Sequence, residues 1–125
     1  MKEQRKILVI DDESDALELL KVRLESYGYI VLTALNAKQA LELAKNRPDI
    51  ILLDLLMPTE EEGLRIFSAL KAEKMTQLVP IIFLTGKAEE GDRLIQLGAR
   101  FFLEKPYEAE ELLKRIDLAL KRDSE

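Results

Sequence analysis

The sequence predicts a doubly wound α/β fold, a parallel sheet covered by helices on both faces. Two observations lead there. Five short apolar runs, rich in β-branched and aromatic residues, alternate with five helix-like segments along the 125 residues. Strands alternating with helices need crossover connections, and right-handed crossovers place helices on both faces of a parallel sheet. With 47% apolar residues the chain is long enough to bury one core, so residues 1–125 read as one domain.

Each element has its own signal. "KILVI" (6–10) is the first strand. Ala16, Leu17, Leu20, Leu24 and Tyr27 then fall on one helical face, and Gly28 follows where a left-handed residue ends a helix. "YIVLT" (29–33) is the second strand. Ala37, Leu41 and Ala44 mark the second helix, which Asn36 and Gln39 open as a capping box and Pro48 closes. "DIILLD" (49–54) is apolar between its two aspartates and reads as a strand buried on both faces. Leu64, Phe67 and Leu70 give the third helix, "PIIFLT" (80–85) the fourth strand, and Gly98 the end of the fourth helix. "RFFL" (100–103) is the last strand, and the last helix gathers Leu112, Leu113, Ile116, Ala119 and Leu120 on one side. No linker, repeat or low-complexity tract interrupts the series.

Composition removes whole classes of chemistry. Lys plus Arg is 19 and Asp plus Glu is 24, a net charge of −5, which disfavours a nucleic-acid surface. Without Cys, disulfides, thiolate zinc sites and cysteine nucleophiles are excluded. Without His, no imidazole base, metal ligand or phosphohistidine belongs to the chain. Any metal must be held by oxygen, which favours hard cations such as Mg²⁺ or Mn²⁺. "MKEQRKILVIDD" is too short and too acidic for a signal peptide, and no run approaches the ~20 apolar residues of a membrane span. A cytoplasmic protein is expected.

In such a sheet, ligands bind beyond the carboxyl ends of the strands. Asp11 and Asp12 follow the first strand, Asp54 ends the third, Thr85 ends the fourth, and Lys105-Pro106 follows the fifth. Singly these are ordinary. Asp11, Asp12 or Ser14 is placed to cap the first helix, and Thr-Gly or Lys-Pro makes a common turn. Asp54 is less ordinary, because a carboxylate among apolar neighbours needs a partner or a cation. Three acids, a hydroxyl and an amine on one edge argue together against a purely structural reading of all five. Close carboxylates raise one another's pKa, and a divalent cation relieves the repulsion. Mg²⁺ there holds phosphate oxygens, with Lys105 as a point charge and Thr85 as a hydroxyl donor. Asp54 is then placed to attack phosphorus and form an aspartyl phosphate.

The motifs "VIDDE", "LLDLLMP", "FLTG", "GA" at 98–99 and "EKPY" at 104–107 together resemble the receiver domain of two-component response regulators, over essentially the whole chain. The resemblance implies a flavodoxin-like (βα)5 fold with strand order 2-1-3-4-5. It implies Asp54 as phosphoacceptor, and Mg²⁺ held by Asp12, Asp54 and the Leu56 backbone carbonyl, with Asp11 acting mainly through water. By the same resemblance, Lys105 is expected to pair with Asp54 or its phosphoryl group, and its bond to Pro106 to be cis. The resemblance implies that Thr85 and Phe102 form a switch that reshapes the face made of helix four, strand five and helix five. The implied donor is a histidine kinase or a histidine phosphotransfer protein. A phosphorylation-dependent homodimer is also implied, with no membrane and no direct nucleic-acid binding by this domain. The resemblance further implies that the chain catalyses only its own phosphorylation and dephosphorylation and is not an enzyme toward other substrates. It ends just after helix five, either free-standing or as part of a longer chain.

Departures from the family pattern fall on the output side. Phe102 lacks the hydroxyl of the common Tyr, and Gly63 lies one residue further from Pro58. The interval from Thr85 to Lys105 is about two residues short, so the fourth helix, with Gly91 early in it, is expected to be short or irregular. Arg100 and Phe101 replace a frequent acidic pair. Leu56, two residues past Asp54, is expected to overhang the phosphoryl group, and Lys87, two past Thr85, to flank the same opening. Leu19, Val22 and Leu118 lie off the core faces, where Leu19 and Val22 could dock a phosphodonor. Two other classes compete. A flavodoxin would need a Ser/Thr/Gly-rich loop after strand one, and an aspartate-dependent phosphatase would need a second acid where Leu56 stands. A receiver that has lost phosphorylation would not need the full set of acids, Thr and Lys.

Overall fold

The computed structural model describes residues 4–124, with side chains as far as Lys121. Residues 1–3 and 125 of the expected domain, and with them the first residues of the basic N-terminal stretch, lie outside the described residues. Five strands and five helices follow in strict alternation: β1 (Lys6–Ile10), α1 (Ser14–Ser26), β2 (Ile30–Ala34), α2 (Ala37–Leu43), β3 (Ile50–Asp54), α3 (Glu60–Ala72), β4 (Ile81–Thr85), α4 (Gly91–Gln96), β5 (Phe101–Glu104) and α5 (Ala109–Ser124). The sheet is parallel throughout, in the order β2-β1-β3-β4-β5. This is the expected fold.

The period-2 alternation of strand side chains divides the core in two. On one face Leu8, Ile10, Ile51, Leu53, Ile81 and Phe83 meet α2, α3 and α4 through Ala40, Phe67, Leu70 and Leu94. On the other, Ile7, Val9, Leu52, Ile82 and Leu103 meet α1 and α5 through Leu17, Leu24, Leu112 and Ile116. Burying a Leu or Ile side chain is worth roughly 1.5–3 kcal/mol, so β3 and β4, buried along their whole length, anchor the sheet.

Local signals worked with small shifts. Gly28 and Gly98 sit at φ 96° and 116°, as the helix ends require. Asn36 Oδ1 accepts the Gln39 N–H, but Gln39 Oε1 returns to the Leu35 N–H, one residue outside the expected box. Several strands begin one residue late. Pro80, for example, has no N–H to enter a ladder, and only its carbonyl pairs, with Ile51. Tyr27 is a correction: it is the C-cap of α1, past the last helical turn, and is 53% exposed rather than in the core. In α2, Ala40 is the fully buried residue. The fourth helix is short, as expected: a 3₁₀ turn at Ala88–Glu90 precedes six α-helical residues. Gly63 lies in the first turn of α3, against β3's exit; a Cβ there would stand 1.9 Å from the Leu55 carbonyl oxygen.

Candidate functional site

The register of β1, β3, β4 and β5 brings the acids together with Thr85 and Lys105. The Asp11 N–H donates to the Ala34 carbonyl, continuing the β1–β2 ladder one residue past the strand. The Leu55 N–H donates to Leu84, which fixes the end of β3, and the Lys105 N–H donates to Thr85, which fixes the end of β5. Asp11, Asp54 and Thr85 are buried, while Asp12 is exposed at the rim. One carboxylate oxygen from each of Asp11, Asp12 and Asp54 lies within 4.8 Å of the others.

Lys105 lies against this cluster. Its Nζ donates to Asp54 Oδ2 at 2.9 Å and stands 3.9 Å from Asp11 Oδ2. Asp54 Oδ1 accepts the Leu56 N–H at 3.1 Å, so both oxygens of the central carboxylate are held. Asp11 Oδ1 accepts the Glu13 N–H at 3.0 Å. No side chain accepts at the N-cap of α1, which is Glu13, so Asp11 works one step before the helix rather than as its cap.

Electrostatics reflect the crowding. Burial raises the Asp11 carboxyl above its ordinary value; the Glu13 N–H and Lys105 oppose this, and the charges of Asp54 and Asp12 reinforce it. Burial alone would lower Lys105, but the hydrogen bond and charge of Asp54, with Asp11 beyond, hold it above its ordinary value. Tyr107, half-buried two residues on, is raised by burial against the opposing charges of Lys105 and Arg23.

The remaining expected residues surround this centre. The Lys105–Pro106 bond is cis, and so is Met57–Pro58, which was not anticipated. Thr85 Oγ1 accepts the Lys87 N–H at 2.9 Å. Leu56 is 40% exposed. The Phe102 ring is half-buried and fills the space of the missing Gly91 side chain: a Cβ there would lie 2.2 Å from the ring. The Lys87 ammonium is drawn to Glu60, 3.8 Å away, rather than to the acids. Neither Glu60 nor its second partner Arg93 was singled out from the sequence. "TEEEG" reads only as an acidic first turn, and the two cations lie far along the chain. Between α1 and the β5–α5 connection runs a groove of about 470 Å³, lined by Leu19, Leu20, Arg23, Lys105, Pro106 and Tyr107.

The family profile described as response regulator receiver domain matches residues 7–117. The chain belongs to the response regulator receiver family.

Relatives agree. The receiver is 37% identical over 121 residues to the alkaline phosphatase synthesis transcriptional regulatory protein PhoP of Bacillus subtilis, covering 94% of this chain and 49% of that protein. It is 40% identical over 119 residues to the transcriptional regulatory protein CpxR of Escherichia coli, covering 94% and 50%. The chain thus spans about half the length of the curated relatives it matches. Its fold superposes on the chemotaxis response regulator CheY4 of Vibrio cholerae with a TM-score of 0.85 at 30% identity, covering 94% of the receiver and all of that chain. Among the described residues, no helix is long and apolar enough to cross a membrane.

Proposed function

We propose that this receiver accepts a phosphoryl group on Asp54 from a phosphohistidine of a histidine kinase or a histidine phosphotransfer protein, in the cytoplasm. The observation that carries the reading is the Lys105 ammonium 2.9 Å from the carboxylate of Asp54, beside two further acids. A carboxylate oxygen of Asp54 attacks phosphorus. The P–N bond breaks, and its electron pair returns to the donor imidazole. Lys105 stays cationic because Asp54 and Asp11 raise its pKa, so it can follow the developing negative charge. The Thr85 hydroxyl, at the adjacent strand end, turns to donate to a phosphoryl oxygen.

Asp11, Asp12 and Asp54 form an all-oxygen donor set that suits Mg²⁺ or Mn²⁺, and the Leu56 carbonyl would complete it. When bound, the ion neutralises charge on the transferring oxygens. The receiver acts only on itself, and its output is read on α4, β5 and α5, by a partner or a second copy. The test is incubation with acetyl phosphate and Mg²⁺ followed by intact mass. One labile phosphoryl group is expected on the wild type and none on Asp54→Ala; full mass gain in the variant would refute the assignment.

A further inference from the structure

Outside the carboxylate cluster, the most constrained charge near this edge is Glu60, the first residue of α3. Its Oε1 is shielded from solvent and accepts no hydrogen bond, the one such buried side-chain atom among the described residues. Lys87 Nζ lies 3.8 Å from that oxygen, too far for a hydrogen bond, and Arg93 lies 3.8 Å from Oε2. Arg93 also reaches Glu90 at 3.4 Å. A shielded carboxylate oxygen in this state is tolerated because cations face it.

Lys87 carries a second tether. Its backbone N–H donates to the buried Thr85 hydroxyl, so its position beside the site is fixed while its ammonium is drawn off toward α3. Stability does not explain the arrangement, because Lys87 and Arg93 are about half exposed and such pairs contribute little. What the pairing determines is where a mobile positive charge rests, next to a site that must admit an anion.

We propose that Glu60 is a positioning residue that withholds the Lys87 ammonium from the phosphoryl site in the unmodified receiver. The inference rests on phosphorylation at Asp54 as read above. With Glu60 removed, Arg93 keeps Glu90, while Lys87 has no other ion-pair partner among the described interactions and is free to turn toward an incoming phosphate.

The test is the rate of acetyl phosphate labelling, followed by intact mass, in the wild type, Glu60→Gln, Lys87→Ala and the double variant. Glu60→Gln is expected to label about threefold faster at low ionic strength, the effect of one freed charge on an anionic reactant. The gain should collapse in about 0.5 M salt, where charges are screened within a few ångströms. Adding Glu60→Gln to Lys87→Ala should bring no gain. An equal gain in the double variant would mean that net charge alone acts, and an absent gain in Glu60→Gln would mean that Lys87 is not withheld; either overturns the proposal while leaving Asp54 as the acceptor. A wild type that takes no label would remove the phosphorylation reading and this one with it.

Discussion

Leu56 is where a single side chain has the clearest kinetic consequence. It is 40% exposed, two residues past Asp54, and its own N–H is anchored on that carboxylate. Its side chain cannot orient a water by hydrogen bonding, and two residues past Asp54 its bulk is expected to shield the phosphoryl group. Leu56→Asn should therefore speed loss of the phosphoryl group by about tenfold, or 1.4 kcal/mol of barrier. Decay of phosphorylated protein after donor removal, with Mg²⁺ present, measures this; a change under about threefold would sink the shielding argument. Asp11 makes a second prediction, on stability. Its folded pKa is raised above 3.8, chiefly by burial, so the protonated form suits the fold better. Its contribution is fully present below pH 3.8 and is lost as pH rises through the folded value. Asp11→Asn keeps an acceptor for the Glu13 N–H, and should raise the metal-free melting temperature at neutral pH. The gain should fade as pH drops toward 3.8; a lower melting temperature at neutral pH would contradict it. These acids were legible in the sequence because each ends or directly follows a strand. Glu60 was not, because its partners come from the β4–α4 connection and α4, and only the packed fold brings them to α3.

Among the elements, α1 and α4 depart most from a purely structural role. The core face of α1 is Leu17 and Leu24, yet Leu19 and Val22 stand 62% and 55% exposed. Leu19 also lines the groove that leads to Lys105 and Pro106. A helical phosphodonor laid there would cover these apolar side chains while its histidine faced Asp54. Leu19→Ser and Val22→Ser should each slow transfer from a cognate phosphodonor by roughly three- to tenfold, about 1 kcal/mol of lost contact. Labelling by acetyl phosphate should be unchanged; equal loss with both donors would indicate a folding defect. Tyr27 shows where periodicity fails: the helical count continues through it, but the helix ends at Ser26, and Tyr27 is the C-cap before Gly28's left-handed turn. The brevity of α4 could be read from the short interval before Lys105. That its first residue is glycine because the Phe102 ring occupies the space could not, since one-dimensional spacing carries no information about which side chain fills a gap.

At the scale of the molecule, the sheet holds three like charges at one edge, and a cation that binds only the folded cleft should stabilise the whole domain. At ten times the dissociation constant the gain is about 1.4 kcal/mol, on the order of 3–6 °C in melting temperature. Thermal melts with and without millimolar Mg²⁺ check this. The wild type should shift and Asp12→Ala should not; no shift in the wild type, or the same shift in both, would count against a site in this cleft. The fold itself was readable because five strands joined by helical crossovers admit few arrangements, and β3 and β4 are apolar enough to lie only at the centre.

The two-sided core also separates what this chain must keep from what it is free to change. Asp11, Asp54, Thr85 and Lys105 are fixed by strand ends and ladder bonds inside the sheet. The six residues of α4 are fastened to the body mainly by Leu94, by Gly91 under the Phe102 ring, and by ion pairs through Arg93. Substitutions on the outer face of α4 would leave the geometry of the acids untouched. The chemistry of the strand ends and the shape of that outer surface can therefore be altered independently.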